Sequence, residues 1–322
     1  MAWFIFSVVG TIVLADLVVR VFYVRLVLPR FENKPPFNAT EHPIDPNAEP
    51  VTLTTRDGVT LRGGLYRTPD LQPRGLVLFC PELGGDHSTA GWYCEALLQA
   101  GFDVLSVDFR GQGESDGQPG YSPIHWPTEF ELCDLRSVLD FVDARDDLRE
   151  LPLCLMGISR GSLAGLIVAA NEPRIRAVCG EGTYTIHSLM EHFTLKWAEL
   201  YVSPLVLRFV PMWHYRLTLW LVRWVSEYRR KVRYALAEPV LPKLRQRPVL
   251  LIAGERDNYV PLSVTRGIAR RLGPNCTVWT APGAKHNQAR DAAKEDFDRQ
   301  IVEFFSAVCP APLSVPHATT VA

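Results

Sequence analysis

From Gly75 onward the chain alternates short apolar runs with longer amphipathic ones. The apolar runs fall at 76–80, 104–107, 153–156, 177–179, 249–253 and 277–279. Near-continuous apolarity of this kind is what a strand covered on both faces requires. Upstream, 51–55 and 59–66 are β-rich runs on either side of Asp57-Gly58, which predicts a hairpin. The amphipathic stretches read as helices. Thr128 opens a capping box closed by Glu131, and Leu135, Val138, Leu139 and Val142 then share one face. Pro261 suits a first helical turn before Val264, Ile268 and Leu272. Phe297, Ile301, Phe304 and Phe305 give the last helix its core-facing side. The pattern predicts an α/β domain over 51–306, with a mostly parallel sheet flanked by helices, followed by a flexible tail at 307–322.

One segment breaks the alternation. Over about 184–243 the pattern turns helical, aromatic and basic, with Trp197, Tyr201, Trp213, Trp220, Trp224 and Tyr228 interleaved with arginines and lysines. Such an insertion between strands suits a lid over the carboxyl edge of the sheet, where ligands bind. Its mixture of rings and cations also suits a membrane–water boundary.

The N-terminus departs from both patterns. Residues 3–28 are apolar apart from a few small polar residues and Asp16, Arg20 and Arg25. As a helix they would reach roughly 39 Å, against about 30 Å for a bilayer core. Arg20 lies one turn beyond Asp16 and can pair with it. The expectation is a single-pass transmembrane anchor at 1–30, with Arg20, Arg25 and Arg30 holding the catalytic side in the cytoplasm. A proline-rich linker at 31–50 follows, carrying Pro35, Pro36, Pro43, Pro46 and Pro50.

Charge adds mainly exclusions. The formal net charge is −1, with no basic block dense enough for a nucleic-acid partner. The seven cysteines are scattered and lack a C-x-x-C pair, so they read as reduced structural thiols, in keeping with the cytoplasm. No H-E-x-x-H or similar pattern implies a metal, and no G-x-G-x-x-G follows the first parallel run, so no cofactor is expected.

The chemistry concentrates at Gly157-Ile158-Ser159-Arg160-Gly161, between a predicted strand and a predicted helix. A serine flanked by glycines there suits a nucleophile on a sharp turn. Serine needs a base, and the base needs an acid to hold its tautomer. Asp257 follows the run at 249–253 and His286 follows the run at 277–279, completing a Ser159, Asp257, His286 order at three strand ends. Glu255 and Glu181 are the lesser candidates for the acid. Backbone N–H groups of Arg160 and of Leu83, in Pro81-Glu82-Leu83-Gly84-Gly85, are the expected oxyanion donors.

Together these residues make 51–305 resemble the α/β-hydrolase superfamily, in its serine esterase and acylglycerol lipase-like, membrane-anchored branches. Asp108-Phe109-Arg110-Gly111-Gln112-Gly113-Glu114-Ser115 is similar to the D-x-R-G-x-G-x-S loop of those enzymes, where it is structural. The chain has Pro81-Glu82 where the family commonly has His-Gly. The resemblance implies a serine hydrolase of a small-molecule ester, with anchor and lid favouring a lipid-like or apolar one. A thioesterase or peptidase with the same three residues is the alternative among enzymes. A membrane-tethered interaction protein that keeps the fold without activity is the alternative outside them.

Overall fold

The computed structural model describes residues 2–33, 39, 42–199 and 203–311. Tyr201 and most of the expected tail lie outside the described residues. The strands are β1 (Glu49–Thr54), β2 (Thr60–Tyr66), β3 (Gly75–Cys80), β4 (Phe102–Val107), β5 (Leu153–Ile158), β6 (Ile175–Glu181), β7 (Val249–Gly254) and β8 (Cys276–Ala281). They form one sheet in the order β1-β2-β4-β3-β5-β6-β7-β8. β1 pairs antiparallel with β2, and β2 antiparallel with β4; every later pairing is parallel. The apolar runs of the sequence thus lie in the strands of the parallel part of the sheet, and those of β3, β4, β5 and β7 are buried throughout, whereas the edge strand β8 is only half-buried.

The helices are α1 (Ala2–Glu32), α2 (Thr89–Tyr93), α3 (Glu95–Gln99), α4 (Glu129–Ala144), α5 (Arg160–Ala169), α6 (Ile186–Ala198), α7 (Pro204–Leu207), α8 (Met212–Arg230), α9 (Leu262–Leu272), α10 (Ala289–Ala292) and α11 (Lys294–Val308). They cover both faces of the sheet. Leu76, Leu78, Leu153, Leu155 and Leu251 point into one core with residues of α4, α5 and α9. Val77, Phe79, Cys154, Met156 and Ile252 point into the other, with residues of α2, α3 and α11. This alternation is the two-residue period of a strand. α4 begins with the predicted box: the Thr128 backbone N–H donates to Glu131 Oε2 at 2.7 Å, and the Phe130 N–H donates to Thr128 Oγ1. The insertion between β6 and β7 carries α6, α7 and α8, inside the segment expected to form a lid.

The N-terminal expectation needs correction. Among the described residues, no helix is long and apolar enough to cross a membrane, so a transmembrane helix at 1–30 is not found. Asp16, Arg20 and Arg25 interrupt the apolar run, and Arg20 is enclosed by protein. Its guanidinium meets Asp16 Oδ2 at 2.5 Å and donates to His214 O and Thr218 Oγ1 on α8. The last turns of α1 belong to the folded body: Val27, Leu28 and Phe31 are buried in the core, and Phe31 stacks on Trp126 at 5.0 Å. Trp126 Nε1 donates to Phe31 O at 2.8 Å. The linker expected at 31–50 therefore starts from a docked helix, and part of it lies against the body. His42 stacks on Trp92, and its carbonyl accepts from Ser88 Oγ.

Candidate active site

Ser159 sits where β5 turns into α5, at φ 48° and ψ −111°. A non-glycine residue in this left-handed region is strained, and the surroundings must hold it there. The Ser159 N–H donates to Glu181 O at 2.8 Å, fixing the turn to β6. The flanking glycines explain themselves by contact. A Cβ on Gly157 would lie 2.6 Å from the Ser162 Cα, and one on Gly161 would overlap the Cys80 and Pro81 carbonyl oxygens. Close packing of Gly161 also brings the loop after β3 against the start of α5. The N–H groups of Leu83 and Arg160 belong to those two segments.

Loops after β5, β7 and β8 bring three of the predicted side chains together. Ser159 Oγ lies 3.0 Å from His286 Nε2, and His286 Nδ1 lies 2.7 Å from Asp257 Oδ2. Asp257 is itself held by the backbone: its Oδ1 accepts from Tyr259 N at 2.8 Å and Val260 N at 2.7 Å. Ser159 and Asp257 are both buried. The geometry can polarise the serine hydroxyl and keep the histidine in one tautomer. Glu255 is turned elsewhere, accepting from Gly283 N at 2.8 Å. Glu181 Oε1 accepts from Ala289 N at 2.8 Å.

Tyr259 was not singled out by the sequence. Its ring lies 4.9 Å from that of His286, with Phe193 of α6 packed on it at 5.3 Å and His125 at 6.4 Å. Burial, then the Arg160 charge, push His125 down to about 3, so it stays neutral and adds to an aromatic wall beside the imidazole. Arg160, next to Ser159, keeps its side chain buried against Glu131, with Nη2 2.6 Å from Oε1. Its charge is thereby matched inside the protein.

The Asp108–Ser115 loop is structural, in agreement with the resemblance. Asp108 accepts from the Glu114 N–H at 2.7 Å and lies 3.0 Å from His87 Nδ1. Arg110 is paired with Asp134 and Asp57. Gln112 Oε1 accepts from Gly84 N at 2.8 Å, bracing the loop that carries Leu83. The resemblance marked this loop as structural, with glycines that shape a turn and charges that fix neighbouring loops; the brace from the uncharged Gln112 to Gly84 was not legible in the sequence.

Two buried acids flank the site. Burial pushes Glu82 up to about 7 and Glu181 up to about 8. A carboxyl raised in the folded state keeps a proton that the unfolded chain loses. Its contribution to stability is therefore present below about pH 4.5 and falls away as pH rises towards about 8. Glu181→Gln retains an acceptor for Ala289 N without a titrating proton. Its thermal midpoint relative to the parent should climb between about pH 5 and about pH 8, then level off. A difference that is flat across that range in parallel melting curves would contradict the assignment.

A profile of the serine aminopeptidase (S33) family matches residues 71–247, more than half of the chain. The chain belongs to this family. YfhR of Salmonella typhi is 28% identical over 167 residues, covering 48% of this chain and 55% of that protein. Rv2307c of Mycobacterium tuberculosis is 23% identical over 242 residues, covering 75% of this chain and 73% of its own length. Human ABHD12B is 28% identical over 202 residues, covering 60% and 50%. The chain thus spans about half the length of YfhR and ABHD12B. Among solved structures, the Pyrococcus furiosus esterase Pf2001 superposes with a TM-score of 0.59 at 19% identity, covering 86% of this chain and all of that one. XC6422 of Xanthomonas campestris, described as a serine hydrolase without a lid, has a TM-score of 0.55 at 19% identity over 84% of this chain and all of its own. These likenesses show the α/β-hydrolase fold, and the family supports hydrolase activity.

Proposed function

We propose that the chain is a serine hydrolase of apolar carboxylic esters, working through an acyl-enzyme on Ser159. The Ser159–His286–Asp257 hydrogen-bond chain, at 3.0 and 2.7 Å, is the observation that carries this reading. His286 Nε2 takes the hydroxyl proton as Ser159 Oγ bonds to the acyl carbon. Negative charge gathers on the former carbonyl oxygen, facing the N–H groups of Arg160 and Leu83. His286 returns the proton to the departing alkoxide as the ester bond breaks. Water then attacks the acyl carbon and gives its proton to the imidazole. Ser159 leaves with that proton, and the carboxylic acid is released. Asp257 stabilises the imidazolium in both halves.

Two features support an apolar ester over an aminoacyl amide. Tyr259, Phe193 and His125 make an aromatic surface beside the imidazole. An aminopeptidase would need a carboxylate for the substrate's ammonium, and two acids beside the nucleophile, Glu82 in the loop after β3 and Glu181 at the end of β6, are buried and pushed up to about 7 and about 8. The test is a panel of p-nitrophenyl esters of rising chain length, run beside acyl-thioesters and aminoacyl amides. Each methylene buried is worth about 0.8 kcal/mol, so kcat/KM should rise at least tenfold from acetyl to a medium-chain acyl group. Fastest turnover of the acetyl ester, or of an aminoacyl amide, would refute the apolar-ester assignment.

A further inference from the structure

Among the described residues, exposed large apolar side chains cluster in one part of the molecule. Apart from Ile44 and Leu71, those among the described residues lie on α1 or between Leu205 and Tyr228. α8 explains why this is unusual. One face, with Tyr215, Leu219, Val222 and Ser226, is buried against the body. The opposite face should then be polar. Instead it carries Trp213, Trp220, Trp224 and Tyr228, between 46% and 80% exposed. Trp220, Trp224 and Tyr228 recur every fourth residue and stack in a row, with ring centroids 6.5 and 6.4 Å apart.

The charge on this helix is predominantly positive, although Arg216 pairs with Glu191 and Arg229 with Glu32. From Met212 to Lys231 the acidic residue is Glu227, whose carboxylate accepts from Tyr234 N, against Arg216, Arg223, Arg229, Arg230 and Lys231. Aromatic rings with arginine and lysine among them are the composition of a protein surface at the headgroup layer of a bilayer, and the cations favour anionic lipid.

α1 is fixed beside this face. Arg20 joins His214 and Thr218, and Ser226 Oγ donates to Glu32 Oε1 at 2.9 Å. These contacts pair the helices in parallel, with offsets of 194 and 198 residues. α8 therefore begins about level with Asp16, and the turns of α1 before it project by roughly 20 Å at 1.5 Å per residue. Those turns expose Trp3, Phe4, Phe6, Val9, Val13 and Leu14.

We propose that the outer face of α8 and the projecting turns of α1 form one docking surface for a bilayer with anionic headgroups. The inference is independent of whether Ser159 hydrolyses esters, and it needs no membrane-spanning helix.

Vesicle flotation of the full chain tests it, using phosphatidylcholine vesicles with and without about 30% phosphatidylglycerol. The parent protein should bind the anionic vesicles about tenfold more tightly than the neutral ones. Trp220→Ser/Trp224→Ser/Tyr228→Ser should weaken binding to both at least tenfold. Arg223→Gln/Lys231→Gln should remove most of the preference for anionic vesicles. Turnover of a water-soluble ester and the thermal midpoint report whether the variants fold. Unchanged vesicle binding by the folded aromatic variant would overturn the proposal. So would a concentration-dependent dimer, seen by sedimentation without lipid, that the aromatic variant abolishes while vesicle binding persists: the face would then bind a second copy of this chain.

Discussion

Asp257→Asn is expected to lower kcat by about 10⁴-fold while leaving the fold and substrate binding nearly intact. The reason lies in the two hydrogen bonds of His286. Nδ1 donates to Asp257 Oδ2 at 2.7 Å, which leaves Nε2 free of its proton and able to accept one from Ser159 Oγ at 3.0 Å. The asparagine amide can present a donor to Nδ1 instead, which favours the opposite tautomer and points a proton at the serine. Ser159→Ala should lose as much or more, since no oxygen remains to form the acyl-enzyme. The two losses should not add in the double variant, because the residues act as one unit. Steady-state kinetics on a soluble ester, with circular dichroism of each variant, measure this directly. A kcat for Asp257→Asn within tenfold of the parent would mean that the carboxylate does not set the tautomer.

Gly161→Ala should destabilise the protein by about 3 kcal/mol, opposite in sign to the usual effect of replacing a glycine within a helix. Alanine normally stabilises a helix relative to glycine by up to about 1 kcal/mol. Here the added methyl would strike the Cys80 and Pro81 carbonyl oxygens, which are backbone and cannot swing aside. Relief requires α5 to move away from the loop after β3, separating the N–H groups of Arg160 and Leu83. Activity should therefore fall together with stability. Urea unfolding monitored by tryptophan fluorescence checks the first effect. A Gly161→Ala variant as stable as its parent would show that the two segments do not pack as closely as described.

The parallel strands were legible because burial on both faces leaves few polar residues, so each run is short, apolar and bounded. Ser159, Asp257 and His286 were legible for a related reason: each falls just past such a run, and chain order is retained in the fold. Side-chain environments were not legible in the same way. Tyr259 reaches His286 because a turn built on Asp257 places it there, and no periodicity encodes that. Arg160 could be read as facing a ligand or an internal partner; its choice of Glu131 depends on how α4 docks beside α5. Glu181 is the last residue of a strand, where an acid is commonplace, and only three-dimensional enclosure raises its proton affinity. The N-terminal helix shows the limit from the other side. Composition made it apolar enough to suggest a span, but the buried contacts of Arg20 and Phe31 depend on partners about 200 and 100 residues away in the chain.

Covalent capture tests the central claim most directly. The protein would be treated with a fluorophosphonate, digested, and the modified peptide identified by mass spectrometry. Stoichiometric phosphonylation of Ser159, abolished in Ser159→Ala and greatly slowed in His286→Ala, is the predicted result. A properly folded parent protein that takes up no phosphonate, or takes it up on another serine, would contradict the assignment of Ser159 as an activated nucleophile.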